Sequence, residues 1–83
     1  VIPVKVNVKL YGTLREYGPK GLEIGQAFPV ELTKGFVSEI IRALRFKVEQ
    51  TKIIMVNGIR VVDLNHALED GDLVVIFPPT GGG

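Results

Sequence analysis

The residues with the clearest chemical potential lie at the end of this 83-residue sequence. Leu73-Val74-Val75-Ile76-Phe77 reads as a strand, Pro78-Pro79-Thr80 follows, and Gly81-Gly82-Gly83 comes last. Glycine has no Cβ and the widest backbone freedom, so residues 80–83 are expected to form a mobile tail on a domain spanning 1–79. Two prolines stiffen its exit, and four extended residues reach roughly 13 Å. Such a tail can carry the Gly83 carboxylate into a narrow site on another protein, where a Cβ at Gly82 or Gly83 would clash. A carboxylate is a poor electrophile, because resonance and charge repel nucleophiles. Adenylation by ATP turns it into an acyl phosphate anhydride. A sulfur donor then yields a thiocarboxylate, or a lysine amine yields an isopeptide bond. The bland alternative is an inert chain end.

Other reactive side chains are sparse. His66 is the one histidine and sits in a polar link beside Asn65; general base work needs a positioned partner, so a surface residue is expected. Asp70 and Asp72 flank Gly71, and two adjacent turn carboxylates are too few for a metal site; a turn with solvated acids is expected. Ser38 has no histidine near it in sequence. Gly12, Gly18, Gly21 and Gly25 match no phosphate-binding loop and read as turn glycines. No self-contained active site and no bound cofactor are expected.

The elements that must position the tail are legible as patterns. Val4, Val6, Val8 and Leu10 alternate with Lys5, Asn7 and Lys9, the period of a half-buried strand. Tyr11-Gly12 closes it, and residues 13–21 form a connection with room for one short helical turn. A second strand is expected over roughly 22–32, placed at an edge or bulged because Gly25 and Pro29 interrupt it. Phe36, Ile40, Leu44 and Val48, with Val37 and Ile41, form one stripe of an amphipathic helix over 36–48, with Thr33 a usable N-cap. Ile53–Val56 and Ile59–Val62 flank Asn57-Gly58, a strong hairpin signal. An irregular link, a turn at 70–72 and the unbroken apolar strand 73–77 complete the chain. One helix and several strands point to α+β, a helix packed on a mixed or antiparallel sheet.

Composition sets the remaining bounds. The length suits one domain. Ten basic and nine acidic residues are spread without a basic run, so neither nucleic acid nor a membrane surface is an expected partner. There is no cysteine, which excludes disulfides and thiolate sites in this sequence. No apolar stretch approaches a membrane span, and no signal peptide is visible; a cytoplasmic place is expected.

Three segments together carry a resemblance. Val56-Asn57-Gly58, Leu68-Glu69-Asp70-Gly71-Asp72-Leu73-Val74 and Phe77-Pro78-Pro79-Thr80-Gly81-Gly82-Gly83 resemble the small sulfur carriers of the ubiquitin-like β-grasp superfamily, nearest to the small subunit of molybdopterin synthase. Val8-Lys9-Leu10-Tyr11-Gly12-Thr13-Leu14-Arg15-Glu16 resembles that family's first strand and turn. The resemblance implies a β-grasp with first and last strands parallel at the sheet centre and the helix across one face. It implies that Gly83 is adenylated and converted to a thiocarboxylate, and that Phe77, Pro78, Pro79, Thr80, Gly81 and Gly82 are the segment partners recognise. The implied partners are a ubiquitin-activating-enzyme-like adenylyltransferase that uses ATP and a synthase large subunit. The chain would then be a co-substrate and not an enzyme. Related carriers serve thiamin synthesis, tRNA thiolation and protein modification at target lysines. The segment from Phe46 to Lys52 is short for the molybdopterin subunit.

Overall fold

The computed structural model describes residues 3–79. Strands β1 (Val4–Leu10), β2 (Phe28–Leu32), β3 (Ile53–Val56), β4 (Ile59–Val61) and β5 (Leu73–Phe77) form one sheet in the order β2-β1-β5-β3-β4. β1 and β5 run parallel, and every other pairing is antiparallel. Helix α1 (Val37–Leu44) lies between β2 and β3 in sequence, and 3₁₀ turns occupy Gly12–Tyr17 and Val48–Gln50. This is a β-grasp, with the two strands of long sequence separation side by side at the centre.

Alternation decides which face of the sheet is covered. Val6, Val8 and Leu10 of β1, Val74 and Ile76 of β5, and Ile54 and Val56 of β3 are buried with Val37, Ile40 and Ile41 of α1. Leu14, Phe28, Leu32, Phe46 and Leu68 close the same core. Each fully buried aliphatic side chain contributes about 1.5–3 kcal/mol. No charged or polar residue among those described is buried.

Three expectations need correction. The second strand begins only at Phe28. Glu23 and Gln26 instead close a turn, the Gln26 N–H donating to the Glu23 carbonyl at 3.1 Å and the Glu23 N–H to Gln26 Oε1 at 2.9 Å, and Ile24 is 76 % exposed. β2 pairs with β1 alone, so the edge position inferred from Pro29 holds. Helix α1 is shorter than 36–48: Arg45 turns left-handed at φ 67°, its N–H closing onto the Ile41 and Arg42 carbonyls. That turn lets Phe46 enter the core, and it leaves Val48 off the stripe and 42 % exposed. Thr33 is no N-cap. Phe36 occupies that position without a side-chain bond. The free N–H groups at this helix end donate to the 63–69 link, Val37 to the His66 carbonyl at 3.2 Å and Ser38 to the Leu64 carbonyl at 2.9 Å.

The other elements form as their chemistry requires. Asn57 and Gly58 both take positive φ, 52° and 84°, as a two-residue hairpin turn needs. β5 is apolar throughout because it is central, though only one of its faces is covered.

Candidate functional site

The chemistry expected of the tail depends on how firmly its root is held. Tyr11 N–H donates to the Ile76 carbonyl at 3.2 Å, and Lys52 N–H donates to the Phe77 carbonyl at 2.7 Å. β5 is thus tied on the β1 side through Ile76 and on the other side through its last residue, Phe77. The Phe77 ring stacks on Tyr11 with centroids 4.9 Å apart and planes 13° from parallel. Pairing stops there, because Pro78 and Pro79 have no N–H to donate. Pro78 rests against Gly12, which has φ +59°; an ideal Cβ on Gly12 would lie 2.7 Å from Pro78 Cγ. An open apolar groove of about 500 Å³ lies here, walled by Tyr11, Gly12, Lys52, Ile53, Phe77 and Pro78.

The groove continues onto the uncovered sheet face. Leu73, Val75 and Phe77 of β5 and Ile53 and Met55 of β3 point away from α1 and are half-buried. Strand register sets Lys9 beside Val75, Val75 beside Met55, and Met55 beside Arg60. The row therefore reads cation, two apolar residues, cation. A second cavity of about 290 Å³ opens elsewhere, between the first 3₁₀ turn and residues 18–26. Its Arg15 guanidinium already donates to the Leu22 carbonyl at 3.2 Å.

The ThiS family profile matches residues 8–83. The chain belongs to the ThiS family. Solved structures share its fold. A putative molybdopterin converting factor subunit 1 from Pyrococcus furiosus is 30 % identical, with 93 % of this chain and 99 % of that one aligned at a TM-score of 0.66. Subunit 1 of the molybdopterin-converting factor of Helicobacter pylori, solved in complex with subunit 2, is 24 % identical over 96 % of this chain and 100 % of that one, TM-score 0.60. The small archaeal modifier protein 1 of Methanosarcina acetivorans shares the fold at 22 % identity over the whole of both chains, TM-score 0.67. No curated protein sequence matches.

Of the site residues expected from sequence, the structure brings Phe77, Pro78 and Pro79 of this ThiS-family chain to the end of the central strand. Thr80, Gly81, Gly82 and Gly83 lie outside the described residues, as does the expected mobility of the tail. His66 is exposed in its link, and its ring meets no cluster: among the described residues no group of three or more His, Cys, Asp or Glu could hold a metal ion. Asp70 and Asp72 are more than solvated acids. Asp70 Oδ1 accepts the Lys5 N–H at 2.8 Å, while Asp72 accepts the Glu69 N–H at 2.8 Å and Asn57 Nδ2 at 2.9 Å. They fasten the entry to β5, at the end opposite the tail.

Sequence reasoning missed Tyr11, Gly12 and Lys52. Only the parallel register of β1 and β5 brings Tyr11 and Gly12 to Phe77 and Pro78. The available signal was their position just past the end of an alternating strand.

Proposed function

We propose that this ThiS-family chain is a sulfur-carrying co-substrate whose Gly83 carboxylate is the group acted upon. In this reading a Gly83 carboxylate oxygen attacks the α-phosphorus of ATP in the site of a ubiquitin-activating-enzyme-like adenylyltransferase. Pyrophosphate leaves and an acyl-adenylate forms. A sulfur donor then displaces AMP, and the resulting thiocarboxylate gives its sulfur to a pterin precursor in molybdopterin assembly, held by a synthase large subunit. ATP belongs to the activating partner, and acid–base chemistry belongs to the partners too. The proposal places these steps in the cytoplasm.

The observation that carries the reading is the root of the tail. A central strand bonded on one side through the Ile76 carbonyl and on the other through the Phe77 carbonyl, followed at once by two prolines, gives a fixed base from which a slender terminus can be aimed. Binding energy spent on a rigid base positions the reacting carboxylate without new contacts near it. Assembly with a large subunit draws on the Helicobacter subunit 1, which is solved together with subunit 2, and the pterin pathway on the 30 % identical Pyrococcus protein.

Mass spectrometry of protein isolated from its own host tests this. The expected result is a fraction in which one terminal oxygen has been replaced by sulfur. Conjugates on target-protein lysines without any such fraction would instead make the chain a protein modifier. Deleting Gly82-Gly83 is expected to abolish pyrophosphate exchange by the cognate adenylyltransferase with an unchanged melting curve; undiminished exchange defeats the carrier reading. Gly82→Ala should lower activation in the same assay and leave stability alone, since the added methyl acts in the partner's slot.

A further inference from the structure

Gly12 is under two separate constraints. Its φ of +59° favours glycine, although Asn and Asp tolerate that region at a modest cost. Its missing Cβ is the second constraint: the position that atom would take is 2.7 Å from Pro78 Cγ and 3.4 Å from Pro78 Cδ. A turn needs only the first. We propose that Gly12 is a positioning residue for tail delivery, seating the Pro78 ring against the corner after β1 and so setting the heading on which the chain leaves β5. The consequence for activation rests on the reading of Gly83 as the delivered group; the heading itself does not.

The two sides of this contact are unequally held. The corner at Gly12 is anchored on both flanks. Tyr11 donates its N–H to the Ile76 carbonyl at 3.2 Å and accepts the Leu14 N–H at 3.2 Å, and Leu14 is fully buried. Pro78 lies one residue past the last ladder bond, that of the Phe77 carbonyl with Lys52. A methyl on residue 12 is therefore accommodated by Pro78 moving, not by the corner. Stiff prolines carry such a rotation outward. Held extended in a partner's slot, five residues span about 17 Å, so a turn of roughly 10° at Pro78 points them about 3 Å off line at the far end, a mismatch the glycines must bend to absorb. A misplacement of about 1 Å at a reacting group can cost roughly 100-fold in rate.

The test compares Gly12→Ala with Gly71→Ala. Gly71 also has positive φ, +89°, farther from the left-handed well than Gly12, but its added Cβ would meet nothing within 4 Å, so it carries at least as much backbone strain without the contact. Nuclear magnetic resonance is expected to show the Pro78 ring and Thr80 amide resonances moving in Gly12→Ala, with Val74 and Ile76 amides in place, and neither tail signal moving in Gly71→Ala. In pyrophosphate exchange with the cognate adenylyltransferase and ATP, Gly12→Ala should lower kcat roughly 10- to 100-fold with a smaller change in KM for the carrier, because Lys9, Val75, Met55 and Arg60 on the outer sheet face are untouched. Gly71→Ala should keep wild-type kcat. In a Pro78→Ala background the clash is relieved, so Gly12→Ala should cost less there than in the wild type. Unmoved Pro78 and Thr80 signals overturn the proposal, as does equal loss of kcat in Gly71→Ala or an unchanged kcat when Pro78 has moved. If wild-type protein supports no exchange at all, the carrier reading fails, and the resonance comparison alone decides whether Gly12 sets the heading.

Discussion

Glu39 shows how one side chain can do the work of a missing cap. Its carboxylate accepts N–H bonds from Thr33 at 2.6 Å, Lys34 at 2.9 Å and Gly35 at 2.8 Å, near the positive end of α1. Burial pushes the Glu39 carboxyl up, but the backbone N–H groups of Thr33, Lys34, Gly35 and Phe36 together outweigh it and leave it below the ordinary value of 4.5. A carboxyl held lower in the folded chain than in the unfolded one stabilises the fold fully above the unfolded value, and that stabilisation is lost as pH falls through the folded one. Glu39→Gln is therefore expected to melt below wild type at pH 7, with the gap narrowing as pH drops below about 4.5; a gap independent of pH in thermal melts would show that the charge is irrelevant. At the tail root, the Tyr11–Phe77 stack is worth about 0.5–1.5 kcal/mol beyond simple burial. A double-mutant cycle of Tyr11→Ala and Phe77→Ala, followed by urea unfolding, should return a coupling in that range, and zero coupling would leave the stack without energetic weight.

Elements were legible where one pattern dominated. The alternation Val4, Val6, Val8, Leu10 marked β1, Asn57-Gly58 marked the β3–β4 turn, and the prolines after Phe77 marked where pairing ends. The misreadings arose where local chemistry competed with periodicity. Leu22 and Ile24 continue the apolar spacing of β2, but the Glu23–Gln26 turn takes their backbone away from the sheet. Val48 fits the helical stripe, but the left-handed Arg45 ends α1 so that Phe46 can pack. The groove at the tail was half legible: Phe77–Pro79 stood out, whereas Tyr11 and Gly12 become partners only through pairing across nearly the whole chain. Asn57 belongs at this scale too. Its side-chain carbonyl accepts the Leu73 N–H at 2.9 Å while its amide donates to Asp72 Oδ1 at 2.9 Å, binding the hairpin turn to the start of β5. Asn57→Ala should cost about 1–3 kcal/mol in urea unfolding, and a loss close to zero would show that the turn holds without it. Ile40→Ala, which empties the fully buried centre of α1, should cost about 2–5 kcal/mol.

Across the whole molecule, the core face and the outer face of the sheet do different jobs. The helix-facing side is sealed by apolar contacts, while the outer side shows an apolar centre between Lys9 and Arg60 beside the groove. Charges at the rim of a contact steer encounter more than they add affinity. Under the proposed carrier function, Lys9→Glu with Arg60→Glu should slow association with the adenylyltransferase, and raising salt should shrink the wild-type advantage; equal association rates at low salt would exclude a steering role. The sheet order β2-β1-β5-β3-β4 has one more outcome. Without β5, the sheet is two separate hairpin-like pairs with no hydrogen bonds between them. The same strand that zips those halves together also leads directly into Pro78, Pro79 and the glycines 81–83. Under the proposed carrier function, a chain caught half-assembled has no seated launching point for its carboxylate, so completed folding would be an entry requirement for the ATP-consuming step, enforced by topology and not by any separate inspector.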